Sequence, residues 1–362
     1  MKNVFVYGIN TVNVGDDLFM RILFERYPNT RMVIYASNVY STLFEDYNNV
    51  VIVSETESVV KRLIRVSHIL HIPPTLLIYA YLFKKYRIGL FLIVGGSLFM
   101  EGKSNITNTL KKIKLLKLRF PKLKTAIIGS NFGPCKTRGF FESVKKSIQD
   151  VDDVCFRDEA SYYAFAELPN VRWGNDIVFH KENNPVPTKE KRVCINIRSV
   201  DKWPALKPYK VKYLGIIKSL ITVFQSKGYV ISLMSFCEGY GDNEITDELY
   251  DSLAEKNDVE RIYYKGDNLS EIVNSIAASE YLIGTRFHAI ILGLLYNVNV
   301  LPISYSIKTE NMLKSLGCWN DIYEFGTFCN SRPEELDNYY LSNIIIDKTK
   351  NIQFDWLDSF LS

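Results

Sequence analysis

Apolar runs of strand length alternate with helical segments along almost the whole chain. The predicted strands include Asn3–Tyr7, Leu90–Val94, Val193–Ile197 and Tyr281–Ile283, and helical patterns such as Val211–Gln225 fall between such strands. Parallel strands need a crossover connection, and a helix usually supplies it. This alternation therefore predicts parallel sheets with helices packed on both faces.

A polar, proline-containing stretch at residues 181–188 interrupts the alternation and predicts a linker. The length of 362 residues suits two domains. The sequence thus predicts an α/β protein with two doubly wound domains and an interdomain cleft. The expected domains are residues 1–182 and 190–332. The less periodic residues 333–362 are expected to pack back on the first domain.

Charge is distributed unevenly along the chain. Residues 1–150 contain 22 lysines and arginines against 10 acidic residues, whereas the remainder contains 22 against 30. A basic half suits a polyanionic acceptor or an anionic membrane surface. The apolar run at 69–83 is too short to span a bilayer and predicts a buried or interfacial helix. Basic and aromatic residues do not interleave as in nucleic-acid-binding proteins, so no nucleic-acid partner is expected.

The cysteines and histidines predict neither disulfides nor a metal site. Six cysteines are scattered without a closely spaced pair. His68 and His71 are three residues apart, but no further ligand types lie nearby in the sequence. The apolar run at the N-terminus is too short for a signal peptide. A cytoplasmic protein is therefore expected.

The most specific chemical signal is the strand-to-helix turn at residues 284–288. A strand ends at Gly284, a helix begins near Phe287, and Arg286 and His288 lie at the junction. Such turns lie at the carboxyl edge of a parallel sheet, where ligands bind. The helix start and Arg286 would attract phosphate or carboxylate, and His288 can transfer a proton near neutral pH. The turn predicts an active site; the alternative is a buried helix that merely contains Arg and His.

Two more cations follow strands of the second domain. Arg198 follows the first strand, and Lys308 begins the helix after Val298–Ile303. Together with Arg286, they would place three positive charges at one sheet edge, where they repel each other unless an anion binds. The pattern predicts a site for a small, highly charged anion, such as a compound with both a phosphate and a carboxylate. The alternative is that each cation pairs with a local acid.

The first domain has polar, glycine-rich turns after its strands, which suit close approach of a ligand to the backbone. The candidate residues in these turns are Asn10, Asn13, Asp16, Asp17, Gly95, Gly96, Ser130, Asn131, Arg157 and Asp176. Each glycine turn alone is weak evidence, because tight turns need the same residues. Asp16 and Asp17 begin a helix, so either could cap it or bind and deprotonate a hydroxyl.

Taken together, these motifs resemble those of the polysaccharide pyruvyl transferase family. The matching positions are Asn10, Gly15, Asp16, Asp17, Gly95, Gly96, 129–134, 157–161, Asp176, Arg198, 284–289, Ser304, Tyr305 and Lys308. The resemblance covers nearly the whole chain, and residues 286–289 are its most specific part. It implies a fold like that of GT-B glycosyltransferases, with two Rossmann-like domains. We expect the acceptor to bind on the first domain and the donor on the second.

The resemblance also implies a reaction. Phosphoenolpyruvate would be the donor, and its pyruvate would form a ketal with two hydroxyls of a sugar. Arg198, Arg286 and Lys308 would bind the donor, His288 would protonate C3 of the enol, and Asp17, or else Asp16, would be the base or hydroxyl anchor. The scheme requires no metal and no cofactor. A saccharide on a polyprenyl diphosphate carrier, with peripheral contact at the inner face of the membrane, would suit the basic first domain.

Two other classes of function fit the same motifs. A GT-B glycosyltransferase would share the fold but take a nucleotide sugar, and such enzymes commonly hold it with a glutamate. No glutamate follows the Arg286 turn before Glu310. A non-catalytic glycan-assembly protein would need neither Arg286 nor His288. The identity of the donor discriminates among the three hypotheses.

Overall fold

The computed structural model of the protein describes residues 2–8, 11–102, 106–181, 187–318, 323–336 and 340–362. The chain divides into two compact units. The first unit comprises Met1–Asn10, Phe19–His180 and Thr349–Ser362, and the second comprises Thr11–Leu18 and Lys181–Lys348. Residues 11–18 therefore pack with the second unit, whereas sequence order alone places them in the first domain. Residues 349–362 pack with the first unit.

The first unit is built on a parallel sheet with seven strands among the described residues. The strands are β1 (Asn3–Tyr7), β2 (Met32–Tyr35), β3 (Val50–Val53), β4 (Ile88–Val94), β5 (Lys124–Ser130), β6 (Asp153–Phe156) and β7 (Val171–Trp173). Their spatial order is β3-β2-β1-β4-β5-β6-β7. The direction of winding reverses between β1 and β4, and ligands of open α/β sheets bind at such a switch point.

Helices connect these strands. They are α1 (Val14–Arg26), α2 (Val39–Leu43), α3 (Ser58–Ile69), α4 (Pro74–Tyr86), α5 (Ile106–Arg119), α6 (Arg138–Ile148) and α7 (Glu159–Tyr163). The apolar run predicted as a buried or interfacial helix is α4, which begins at a proline, a favourable first helical residue. Its Tyr79 and Phe83 rings lie 5.0 and 5.5 Å from the Phe5 ring of β1. The apolar face of α4 is therefore part of the core of the first unit.

The second unit is built on another parallel sheet, with six strands among the described residues. The strands are β8 (Glu190–Asn196), β9 (Val230–Ser235), β10 (Val259–Tyr263), β11 (Ser279–Gly284), β12 (Asn299–Ser304) and β13 (Tyr323–Glu324). Their order is β10-β9-β8-β11-β12-β13, so the switch point lies between β8 and β11. The predicted fold class, an α/β chain with two doubly wound parallel sheets, is confirmed.

The helices of the second unit again alternate with its strands. They are α8 (Lys210–Ser226), α9 (Asp242–Asp251), α10 (Leu269–Ala278), α11 (Phe287–Leu295), α12 (Ile307–Ser315) and α13 (Phe325–Phe328), and α14 (Asp355–Leu361) ends the chain within the first unit. None of the helices in the described ranges is long and apolar enough to cross a membrane.

Candidate active site

Arg198 follows β8 and is buried, with 4 % of its surface exposed. Its guanidinium carbon lies 4.2 Å from the ring centroid of Trp203 and 4.1 Å from that of Tyr305, so the cation is held between two aromatic rings. No carboxylate oxygen in the described part of the chain lies within 4.0 Å of it, and its buried Nε makes no hydrogen bond there. Burial lowers the pKa of this guanidinium. A buried cation without a carboxylate in direct contact is costly, which favours a bound anion.

Arg286 follows β11 and has a buried acidic partner. Its Nε donates to Asp242 Oδ2 at 2.8 Å, and its Nη2 donates to Asp242 Oδ1. Asp242 is fully buried at the start of α9. Sequence reasoning missed this partner, although the polar turn after β9 ends at Asp242. The alternative that each cation pairs with a nearby acidic residue therefore holds for Arg286 but not for Arg198. Nη1 of Arg286 makes no hydrogen bond within the described residues.

The three cations predicted to bind an anion converge on Tyr305. Burial by itself would raise the pKa of the Tyr305 hydroxyl, but the charges of Lys308, Arg198 and Arg286 lower it below its usual value. Lys308 Nζ also lies 5.6 Å from the centroid of the Phe287 ring, at the start of α11. Since Asp242 neutralises Arg286, the positive charge of this site, at the ends of β8, β11 and β12, comes from Arg198 and Lys308.

Buried polar contacts hold the backbone of both arginines in place. The Arg286 N–H donates to Asn196 Oδ1 at 3.1 Å, and Asn196 ends β8. The Arg198 N–H donates to the Tyr213 hydroxyl at 3.4 Å, and that hydroxyl lies 2.7 Å from Thr285 Oγ1. These contacts link the ends of β8 and β11, which flank the switch point, so the anion site has a rigid base.

His288 is the second residue of α11, and its ring lies directly against Gly15. A Cβ atom added to Gly15 would lie 1.7 Å from His288 Nδ1 and 2.3 Å from Cε1. Gly15 belongs to the segment 11–18 that packs with the second unit. The Val14 N–H donates to the Phe236 carbonyl at 3.3 Å and helps to hold this segment there. Only glycine fits between the α1 backbone and the imidazole.

The acidic residues at the start of α1 differ in their surroundings. Asp17 is 1 % exposed, and its Oδ2 accepts hydrogen bonds from the Asn13 N–H at 3.3 Å and the Tyr264 hydroxyl at 2.8 Å. Asn13 Oδ1 in turn accepts from the Gly15 N–H at 3.1 Å, so the two side chains together cap the helix. Asp16 is half-buried and therefore the more accessible acid. Asn10 lies outside the described residues.

The first unit holds a second cluster of predicted residues. Arg157 Nη1 lies 3.0 Å from Asp176 Oδ2, and Arg157 Nη2 donates to Asn131 Oδ1 at 2.8 Å. All three side chains are buried. Burial raises the pKa of Asp176, although the Arg157 charge opposes this. A Cβ at Gly96 would lie 3.3 Å from Arg157 Nη2, so the turn after β4 packs against the ion pair.

Two further predicted residues of the first unit shape its turns. Ser130 is fully buried, and its hydroxyl donates to the Gly95 carbonyl at 2.6 Å. Gly95 has a φ of 131°, which favours glycine. Hydrogen bonds between these buried groups position the turns after β4 and β5. Gly96, which is half-buried, is the most accessible member of the group.

No group of three or more histidine, cysteine or acidic side chains in the described ranges is arranged to hold a metal ion.

Comparison with solved structures shows what the chain is similar to in fold. S. aureus MnaA with UDP matches with a TM-score of 0.60 at 11 % identity, over 100 % of this chain and 98 % of that one. UDP-GlcNAc 2-epimerase from Neisseria meningitidis, bound to UDP-GlcNAc, matches with 0.58 at 10 % identity, over 100 % and 99 %. Anabaena HepE in complex with UDP and glucose matches with 0.51 at 10 % identity, over 84 % and 80 %. These likenesses show the fold alone, a two-domain α/β fold of the GT-B type.

Sequence comparison identifies the family. No curated protein matches the chain. The family model for polysaccharide pyruvyl transferases, in contrast, matches residues 13–307, which include Gly15, Arg198, Arg286 and His288. The chain therefore belongs to the polysaccharide pyruvyl transferase family.

Proposed function

We propose that the protein is a ketal pyruvyl transferase, which moves pyruvate from phosphoenolpyruvate to two hydroxyls of a sugar in cell-surface glycan biosynthesis. Family membership supports a transferase that acts on glycans. The identities of the donor and the acceptor and the ketal-forming reaction are our proposal. We place the donor on the second unit and the acceptor on the first.

The buried guanidinium of Arg198 carries the donor assignment. It is fixed between Trp203 and Tyr305 and has no carboxylate neighbour within 4.0 Å in the described chain. Phosphoenolpyruvate has a phosphate and a carboxylate, and its charge would be neutralised by Arg198, Lys308 and the Nη1 edge of Arg286. Arginine suits both anionic groups, because its planar donors match carboxylate and phosphate geometry.

His288 is the proposed general acid. A proton from its imidazole to C3 of the enol forms the methyl group and leaves an oxocarbenium-like C2. One sugar hydroxyl adds to C2 and loses its proton, and phosphate leaves with its C–O bonding electrons. The second hydroxyl then adds to C2, loses its own proton and closes the ketal. His288 is suited to this role because it lies in the first turn of α11, two positions after Arg286. A donor phosphate nearby would favour the protonated imidazole.

Asp17 remains the proposed base or hydroxyl anchor, with Asp16 as the alternative. Asp17 already accepts from Tyr264 and Asn13, which would keep its carboxylate oriented, whereas Asp16 is more accessible. In Asp17→Asn, the acid-base role would be lost while the shape of the side chain is kept. Loss of turnover in Asp16→Asn with retention in Asp17→Asn would assign the role to Asp16.

The acceptor remains a broader proposal. A saccharide would bind near the turns of the first unit that contain Gly95, Gly96, Ser130 and Asn131, and the acceptor role of Asn10 stays a prediction from the sequence. A polyprenyl-diphosphate carrier, a cytoplasmic location and contact with the inner face of the membrane remain predictions. The basic composition of residues 1–150 supports an anionic carrier.

Titration calorimetry with phosphoenolpyruvate and a panel of nucleotide sugars tests the donor. We expect phosphoenolpyruvate to bind the wild type and His288→Ala, and to lose most of its affinity in Arg198→Ala. Arg261→Ala is the matched control, because Arg261 is a surface arginine paired with Asp247 on the same unit. Full affinity in Arg198→Ala would refute the assignment of this site.

Calorimetry also separates the competing functions. The structural neighbours were solved with UDP or a UDP-sugar, so binding of a nucleotide sugar in place of phosphoenolpyruvate would assign a glycosyltransferase activity instead. If neither donor binds in the presence of a saccharide panel, the non-catalytic assembly role is favoured.

A further inference from the structure

The charged side chains of three consecutive helices of the first unit are all basic. α3, α4 and α5 contain ten lysines and arginines and no aspartate or glutamate. Buried side chains of all three helices, such as Val60, Leu82 and Ile113, belong to one core cluster. The helices thus cover one side of the sheet together, and their outer surface is here called the α3–α5 face.

Most of these cations have no acidic neighbour. Lys114 and Lys117 pair with Asp150 and Asp152, at 2.5 and 3.1 Å. The other eight have no carboxylate oxygen within 4.0 Å in the described residues; they are Lys61, Arg62, Arg65, Lys84, Lys85, Lys111, Lys112 and Arg119. The only acidic residue between α3 and the end of α5 is Glu101, which accepts hydrogen bonds from Thr137. The α3–α5 face therefore has a strong net positive charge.

Large apolar side chains are exposed among these cations. Five of the seven exposed large hydrophobic residues described in the first unit lie on α3, on α5 or directly after α3; they are Val66, Ile69, Leu70, Leu115 and Leu118. Ile69 is 76 % exposed and Leu118 is 83 % exposed. Lys112 Nζ donates to Thr75 Oγ1 at 2.9 Å, which places α5 beside the start of α4, just after the Ile69–Leu70 turn.

We infer that the α3–α5 face docks on a bilayer surface that contains anionic lipids. Anionic headgroups complement the cations, and the exposed isoleucine and leucine side chains would enter the boundary between headgroups and acyl chains. A soluble polyanion would use the cations but would gain nothing from Ile69 or Leu118. The inference rests on the proposed function, because it assigns the membrane contact proposed there to one named surface, but it does not depend on the identity of the donor.

The neighbouring groove between α5 and α6 is a different environment. It encloses about 420 Å³, and its walls carry Lys111, Lys114 and Lys146 together with Glu142 and Asp150. Charges of both signs line it. The membrane surface is therefore assigned to the outer α3–α5 face, where the charge has one sign, and not to this groove.

Vesicle co-sedimentation tests the inference with the full chain. We expect binding to vesicles that contain phosphatidylglycerol and little binding to phosphatidylcholine alone. Each cation near an anionic surface contributes about fivefold to partitioning, so Arg62→Glu/Arg65→Glu should lower it about 30-fold or more. Ile69→Ser/Leu70→Ser should lower it about tenfold. The matched controls are Lys207→Glu/Lys227→Glu and Val211→Ser, which change exposed residues of the second unit and should bind like the wild type.

Three outcomes would overturn the inference: equal binding to both vesicle types, wild-type binding by Arg62→Glu/Arg65→Glu, and wild-type binding by Ile69→Ser/Leu70→Ser. The last result, combined with displacement by heparin, would assign a soluble polyanion instead. A dimer on size exclusion that Arg62→Glu/Arg65→Glu dissociates, without vesicle binding, would assign the face to a second copy. Calorimetry with phosphoenolpyruvate on the same variants keeps this test separate from that of the proposed function.

Discussion

Substitution of Gly15 by alanine tests how His288 is positioned. Gly15 is the second residue of α1 and has no positive φ, so its backbone accepts alanine, which favours helix by up to about 1 kcal/mol. The new Cβ would lie 1.7, 2.3 and 2.5 Å from the Nδ1, Cε1 and Cγ atoms of His288. Because carbon contacts are optimal near 3.5 Å, the imidazole must move by roughly 1.5 Å. The substitution should therefore displace the His288 imidazole, the proposed general acid, and leave the α1 backbone in place.

A displacement of this size has a large catalytic effect. Misplacement of a reacting group by 1 Å can cost about 100-fold in rate, so we expect turnover of Gly15→Ala to fall by about that factor. Affinity for phosphoenolpyruvate should change much less, since Arg198 is untouched. The Cε1–H resonance of His288, assigned by its loss in His288→Ala, should shift in the NMR spectrum of Gly15→Ala.

A double-mutant cycle on thermal stability needs no acceptor. In the His288→Ala background the clash is absent, so Gly15→Ala should raise the melting temperature there and lower it, or leave it unchanged, in the wild type. Gly139→Ala is the matched control, because Gly139 is the second residue of α6 and a Cβ there meets nothing within 4 Å. Equal stabilisation by Gly15→Ala in both backgrounds, with an unshifted His288 resonance, would refute the contact.

Three other perturbations have expected outcomes. Burial lowers the pKa of His180 to about 4, so its contribution to stability is complete above pH 6.5 and falls as the pH drops towards 4, by about 2 kcal/mol at pH 5. Urea unfolding at pH 7 and 5 should show this loss, and His180→Gln should reduce it; an equal loss in the variant would refute the assignment. Asp176→Asn leaves the buried Arg157 guanidinium without its carboxylate and should cost about 3–5 kcal/mol in unfolding free energy, whereas a change below 1 kcal/mol would contradict the burial of this pair. Trp203→Ala removes one ring from the Arg198 guanidinium and should weaken phosphoenolpyruvate binding about tenfold by calorimetry, with unchanged affinity as the contrary result.

Local patterns in the sequence predict most of the secondary structure. Buried central strands such as β4 and β11 are continuous apolar runs that end in glycine or polar residues, and both features can be seen over a few positions. The strands missed by the pattern are β7 and β13, with three and two residues. Runs this short lie below the length at which strand periodicity can be recognised.

The sequence also predicts that the charged candidate residues of the second unit lie together at the carboxyl ends of its strands. Arg198, Arg286 and Lys308 each follow a strand, and parallel topology brings such positions to one edge of the sheet. Their proximity around Tyr305 follows from this rule. Whether each cation is neutralised cannot be predicted in this way, because it depends on which acidic residue lies nearby in space.

Only the tertiary structure decided which partners these residues have. The Asp242 carboxylate that holds Arg286 is 44 positions away in the chain, and Gly15 lies 273 positions before the His288 ring that it contacts. The sequence thus determined by itself the α/β alternation, the strand-end positions of the charged residues and the family resemblance, because these are local patterns. The structure decided that residues 11–18 pack with the second unit, that Arg286 is neutralised and that Arg198 is not, because contacts between distant segments depend on how the whole chain packs.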